Sequence, residues 1–191
     1  MDYKQEFIAL VDQHIHRPNI DKLMERLELS DFYTAPASRM NHGNEKYGLV
    51  RHSMAVFEEM VKEVKSTNGW KPLDPRVMES IAIVSLFHDL CKMSYYATDF
   101  RNTKDEKGNW IKVPYYTIDD KFPFGHGDKS VVLILTCGVE LNIGEMLAIK
   151  HHMGGYSPKE EWNSISKAYE EFPLALLLHL ADMRATYLQK L

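Results

Sequence analysis

Nine histidines fall in this 191-residue chain, most of them where an imidazole is awkward unless something uses it. Val77, Ile81, Val84 and His88 recur at helical spacing, so His88 prolongs an apolar line, and Asp89 follows it. Ile143, Leu147 and His151 share a face in the same way, as do Leu174, Leu178 and Asp182. His52 stands in line with Leu49 and Val56. An unpaired carboxylate on a core face is costly, so Asp182 calls for a compensating cation. A single histidine on an apolar face is usually a satisfied core residue. Several on separate helices, joined by His126 in GHGDKS, the pair His151-His152 and the buried Asp182, point instead to a metal site in the interior. Imidazole and carboxylate donors suit Mn, Fe, Co, Ni or Zn. No cysteine belongs to the set, which argues against a structural zinc site of the thiolate kind.

The elements that must carry these residues are mostly helical. Residues 4 to 14 and 19 to 29 read as short amphipathic helices, the second opened by Pro18 and Asn19. Residues 31 to 48 are rich in turn formers. A long helix is expected from about Gly48 to Lys65, with Val50, Met54, Phe57, Val61 and Val64 as its stripe and Asn68-Gly69 as its stop. Asp74 as N-cap and Pro75 at the first position open a helix running to about Leu90. Residues 94 to 124 are aromatic and β-branched around a polar turn at Lys107-Gly108-Asn109, the pattern of an inserted β-hairpin. The apolar run 131 to 137 fits strand or buried helix, and Asp128 as N-cap tips it towards helix. Helices over 142 to 152 and 172 to 190 complete an all-α bundle with a small β-hairpin insertion.

The order His52, His88-Asp89, Asp182 resembles the HD superfamily of metal-dependent phosphohydrolases, and His126 with His151-His152 resembles its two-metal branch. The segments FYTAPASRMNH, YGLVRHS, LFHDLCK, FGHGDKS, IKHHMG and HLADMRAT are similar to the HD domain of YhaM-type 3′-to-5′ exoribonucleases, over about residues 30 to 188. The resemblance implies a single HD domain over 1–191, with N-terminal helices in 1–30 and the HD core in 31–188. It implies one or two divalent transition-metal ions: His52, His88, Asp89 and Asp182 hold one, and Asp89 bridges to a second held by His126 and His151. His152 is then a further ligand or a phosphate contact. Lys92 matches the substrate-facing lysine of the family's HDxGK motif, with Cys91 in place of its glycine. The GYP signature is absent, which disfavours a cyclic dinucleotide, and so is the nucleic-acid-binding domain of the exoribonucleases.

The implied activity is hydrolysis of a phosphoester in a nucleotide or short oligonucleotide by a metal-activated water, with Asp89, Lys92 and His152 as catalytic residues. Lys92, His42, Lys129 and His152 are the candidate substrate contacts. The bland readings are a surface loop position for His42 and a solvated amine for Lys129. A diiron oxygenase acting on a small polar substrate uses the same ligand set, and a nucleotide-binding module without turnover is the non-enzymatic alternative. His179 either orients Asp182 or is a core histidine, and Arg184 is expected in a salt bridge. The hairpin aromatics either stack a base or fix the hairpin to the helices.

Composition bounds the partners. Lys+Arg of 23 against Asp+Glu of 27 gives −4, which disfavours long nucleic acid and anionic membrane, though short RNA stays open as a ligand. No apolar run approaches the ~18–20 residues of a membrane span and the start has no signal-peptide pattern. Cys91 and Cys137 could pair, but a core of this size needs no staple, so reduced thiols in a cytoplasmic protein are expected.

Overall fold

The computed structural model describes residues 2–39, 43–69 and 71–189. These form eight α-helices and one two-stranded antiparallel sheet: α1 (Tyr3–His14), α2 (Ile20–Glu28), α3 (Gly48–Thr67), α4 (Pro75–Phe87), β1 (Tyr96–Lys104), β2 (Trp110–Ile118), α5 (His126–Thr136), α6 (Ile143–His151), α7 (Trp162–Glu171) and α8 (Pro173–Tyr187). The all-helical body with a hairpin follows the sequence expectation. Helix α7 occupies a stretch to which that expectation assigns no element.

Local chemistry explains most boundaries. The Asp74 carboxylate accepts the Arg76 N–H at 2.8 Å and Pro75 takes the first helical position, so α4 starts there. Helix α6 opens with a capping box: Glu145 N–H donates to Asn142 Oδ1 at 3.0 Å, and Asn142 N–H donates back to Glu145 Oε2 at 2.9 Å. Residues 131 to 136 are helical, but Asp128 is not the cap expected of it. Helix α5 begins at His126 after Gly125, and Asp128 accepts from Lys150 Nζ at 2.6 Å instead.

Helix α3 is buried along more than one face because it packs against both α4 and α8; Leu49, Val50, His52, Val56 and Met60 are all inside. Helix α8 also meets α6, and α6 meets α5, so the helices carrying the chemical residues share one core with Phe7, Phe32 and Phe87. Full burial of such a side chain contributes roughly 1.5–3 kcal/mol. Two apolar stripes read from sequence do not hold throughout. Val77 and Ile143 are exposed, and the inner side of α6 is Glu145, Ala148 and Ile149. Glu145 turns inward because Arg17 pairs with it in both directions, Nη1 to Oε2 and Nη2 to Oε1, each at 2.6 Å.

Helices α5 and α6 approach closely at Gly127. A Cβ there would lie 2.2 Å from the Lys150 carbonyl oxygen, so only glycine lets the first turn of α5 sit on the end of α6. That contact sets His126 beside His152, ring centroids 5.2 Å apart.

The hairpin pairs Tyr96 with Ile118 through Lys104 with Trp110. Asp105 Oδ1 accepts the N–H groups of Lys107 and Asn109, and Gly108 at φ +82° completes the turn. Trp110, Phe122 and Phe124 are exposed, so these aromatics do not fix the hairpin to the helices, whereas Tyr95, Tyr96, Tyr115 and Tyr116 are half-buried. Among the described residues no helix is long and apolar enough to cross a membrane.

Candidate metal centre

Six side chains of ligand type converge from five helices. His52 comes from near the start of α3; His88 and Asp89 stand at the end of α4; His126 begins α5; His152 follows the last residue of α6; Asp182 lies in α8. Their donor atoms form three overlapping groups, each within 4.8 Å: His52, His88 and Asp89; His88, His152 and Asp182; Asp89, His126 and His152. These buried His and Asp groups could hold a metal ion.

Asp89 is the hinge of the arrangement. Its Oδ2 lies 3.5 Å from His52 Nε2 and 3.5 Å from His88 Nε2, and accepts from Lys92 Nζ at 2.6 Å. Its Oδ1 lies 2.9 Å from His126 Nε2 and 3.6 Å from His152 Nε2. The two oxygens of one carboxylate therefore address two different sets of imidazoles. Asp182 Oδ1 is 3.1 Å from His52 Nε2.

The hydrogen bonds behind the ring nitrogens decide what those nitrogens can do. His88 Nδ1 is 2.8 Å from the Ser85 carbonyl, and His152 Nδ1 is 2.6 Å from the Ile149 carbonyl. A carbonyl only accepts, so in the neutral rings both Nδ1 atoms carry the proton and both Nε2 atoms present bare lone pairs. The His88 lone pair meets His52 Nε2 at 3.3 Å, whereas that of His152 faces Asp89 Oδ1 at 3.6 Å and has no hydrogen-bond partner. Acceptor against acceptor in a buried site is unfavourable unless a cation lies between them, and second-side hydrogen bonds of this kind are what orient metal-bound imidazoles. The donor set fits a metal.

Electrostatics agree. Burial pushes His88 down to about 3, so it stays neutral at any ordinary pH. Burial opposes ionisation of Asp89, but Lys92, His88, His126 and His152 outweigh it and hold the carboxyl well below its usual range. Asp182 is likewise lowered against its burial, chiefly by His52. Burial alone would lower His152, yet Asp89 and Asp182 raise it: the carboxylates draw positive charge towards Nε2. Lys92 is raised by Asp89 against its own burial and remains an ammonium.

A cavity of about 220 Å³ opens onto this cluster, lined on one side by His52, Asp89, Lys92 and Asp182. Lys92 thus borders both the carboxylate and the open space, although the helix has ended by then. A short 3₁₀ turn over Leu90–Lys92 brings its amine back to Asp89.

The sequence reading and the structure part at several residues. His151 belongs to none of the three groups; it is buried, its Nδ1 has no partner, and its carbonyl accepts from Tyr169 Oη at 3.1 Å. His152, expected as a further ligand or a phosphate contact, belongs to two of the groups. Being fully buried and outside the cavity lining, it is not placed to meet a phosphate. Lys129 is neither solvated nor open, since it is buried and donates to Asp120 Oδ1 at 2.6 Å beneath the Tyr95 ring. His42 lies outside the described residues. His179 does not orient Asp182; its Nδ1 is 2.7 Å from the His152 carbonyl. Arg184 makes the expected salt bridge, to Glu63 at 3.2 Å. Cys91 and Cys137 are free thiols. Cys91 Sγ lies 3.2 Å from His126 Nδ1, and burial together with Asp89 pushes its thiol up to about 12, so it is an inert wall beside His126. Residues that sequence reasoning missed are Met153, Tyr156, Met183 and Tyr187, which also line the cavity. The available signal was helical distance, since each follows His152 or Asp182 by five residues or fewer.

Comparison with family models, curated proteins and solved structures finds no match. What the site does is therefore argued from its geometry.

Proposed function

We propose that this protein is a metal-dependent phosphohydrolase of the HD kind, cleaving a phosphoester bond in a nucleotide or short oligonucleotide. One observation carries the reading: Asp89 presents one oxygen to His52 and His88 and the other to His126 and His152, with Lys92 on its open side. A carboxylate shared between two nitrogen sets is the donor arrangement for a pair of divalent ions. Such ions supply Lewis acidity, lowering the pKa of water towards neutrality and neutralising phosphoryl charge.

The chain's own residues do the rest. Asp89 and Asp182 remain ionised and deliver two negative charges to a buried site, while His88 stays neutral and offers a lone pair. Lys92, charged and bordering the cavity, neutralises a nonbridging phosphoryl oxygen and orients the ester. Its distance of three residues from Asp89 ties substrate position to the ligand shell. The motif order His52, His88-Asp89, Asp182 supports the family assignment.

The test strips metal, reloads with Mn, Fe, Co, Ni or Zn, and assays a generic phosphodiester and a nucleotide panel, with oxygen uptake followed in parallel. Hydrolysis with at least one metal is expected. Asp89→Ala should lower both bound metal and turnover by about 10²-fold or more. Retention of both by that variant ends the proposal, and oxygen uptake without hydrolysis replaces it with the oxygenase reading.

A further inference from the structure

The cavity has two unlike halves. One half is the charged floor of Asp89, Lys92 and the neighbouring ligands. The other is a wall that includes Met153, Tyr156, Met183 and Tyr187, beside His179 and Thr186, and the hydrolytic reading leaves these two methionines and two tyrosines without a task. Tyr156 Oη and Tyr187 Oη meet at 3.0 Å, although the two residues are far apart in the chain. Both rings are largely exposed, at 63% and 51%, so this hydroxyl bridge sits at the entrance and not in the core.

The wall is rigidly tied to the floor. Tyr156 follows His152 by four residues through a 3₁₀ turn over Gly154–Tyr156, and Tyr187 follows Asp182 by five at the end of α8. The turn depends on Gly154 at φ +53°, where a Cβ would lie 2.5 Å from the His179 ring. That ring in turn holds the His152 carbonyl. Ligand and tyrosine are thus placed by one short, constrained segment. Met153 and Met183, in the same lining, add a soft, adaptable surface that suits a ring.

Volume decides how a substrate divides between the halves. About 220 Å³ is less than the roughly 300–1,000 Å³ of sites that enclose a whole drug-sized ligand. A phosphoryl group fits inside, and the remainder of the molecule has to lie at the mouth, on the tyrosines.

We propose that Tyr156 and Tyr187 are the specificity-determining pair of this site, forming a platform on which one flat ring, a single purine or pyrimidine base, stacks while its phosphoryl group rests against Lys92 and Asp89. This deepens the phosphoester reading above and rests on it for the phosphoryl position. A bridged pair of phenol rings is a stacking surface open to any base, so it selects for the presence of a base and not for its identity. It also selects one nucleotide over a sugar phosphate.

The experiment is equilibrium binding of AMP and of ribose 5-phosphate to the manganese-loaded protein by calorimetry, with hydrolysis of AMP measured alongside. The Y156A/Y187A double variant is expected to bind AMP about tenfold more weakly and ribose 5-phosphate within twofold of the parent. The Y156F/Y187F variant keeps the rings, loses the hydroxyl bridge and is expected to bind AMP as the parent does. Both positions are exposed, and circular dichroism checks that the variants fold. The proposal is overturned if AMP affinity survives the double alanine change, if both ligands weaken alike, if the phenylalanine variant loses as much as the alanine one, or if the parent binds AMP no better than ribose 5-phosphate. AMP binding that depends on the tyrosines, with no ester cleaved under any metal, keeps the platform and rejects the hydrolase.

Discussion

Successive residues on a helix leave its axis about 100° apart, so of two adjacent histidines at a helix end only one can face a given point. His151 is the last residue of α6 and His152 the residue after it, and it is His152 whose Nε2 reaches the Asp89 carboxylate. His152→Ala is expected to lower bound metal and any turnover by about 10–100-fold. His151→Ala should leave metal content within twofold and cost on the order of 2–3 kcal/mol through the cavity it leaves. Elemental analysis with urea unfolding of the two variants checks both statements, and equal metal loss in the two would contradict the geometry. This pair also shows where the site was legible in the sequence. Residue type and order brought His52, His88, Asp89, His126 and Asp182 into view, because a polar group interrupting an apolar stripe is a visible anomaly. The choice between His151 and His152 was not visible. It depends on α6 having its inner face at Glu145, Ala148 and Ile149, and the exposed Ile143 suggested another.

At the scale of elements, α6 is aimed by a single carboxylate. Glu145 closes the capping box with Asn142, accepts from Ser80 Oγ at 2.6 Å and receives both arms of Arg17. Burial opposes its ionisation, but the Arg17 guanidinium and Ser80 outweigh burial and hold the carboxyl below its usual 4.5. A group whose pKa falls on folding stabilises the fold above its unfolded pKa, and that contribution is lost as pH drops through the folded value. Glu145→Gln is therefore expected to cost on the order of 2 kcal/mol at pH 7, with the difference from the parent shrinking as pH falls below about 4.5. Thermal unfolding of both proteins between pH 3 and pH 7 checks it; a difference independent of pH would remove Arg17–Glu145 as the cause. Element positions announced by caps and breakers, such as Asp74-Pro75 and Asn142, were legible for that reason. Helix α7 was not, because it lacks any side-chain cap and buries only Ile165 and Ala168. Asp128 misled because an acidic residue in a first turn serves equally as the partner of a lysine on the next helix, here Lys150.

For the whole molecule, the ligand residues concentrate an electrostatic cost in the core. Five helices meet around two carboxylates and several imidazole lone pairs, with one ammonium, Lys92, touching Asp89. Burial opposes ionisation of both carboxylates, and Lys92 and His52 already outweigh it, so a bound cation would add to a compensation the chain itself supplies. Binding to the folded state alone adds RT ln(1 + [L]/Kd), about 2.7 kcal/mol at a hundredfold excess over Kd. For a chain of this length that corresponds to a rise of about 5–10 °C in Tm. Asp182→Asn separates the compensation the chain itself supplies from that of a bound cation. It removes a carboxylate that His52 holds ionised against burial, so its melting temperature after chelation is expected to fall below that of the chelated parent, and its gain on adding manganese to fall below the parent's as well. Scanning calorimetry of parent and variant, each with chelator and with manganese, reads all four values. A chelated variant that melts with or above the chelated parent would mean that His52 leaves Asp182 uncompensated, and that a cation is needed to hold α3 and α8 together.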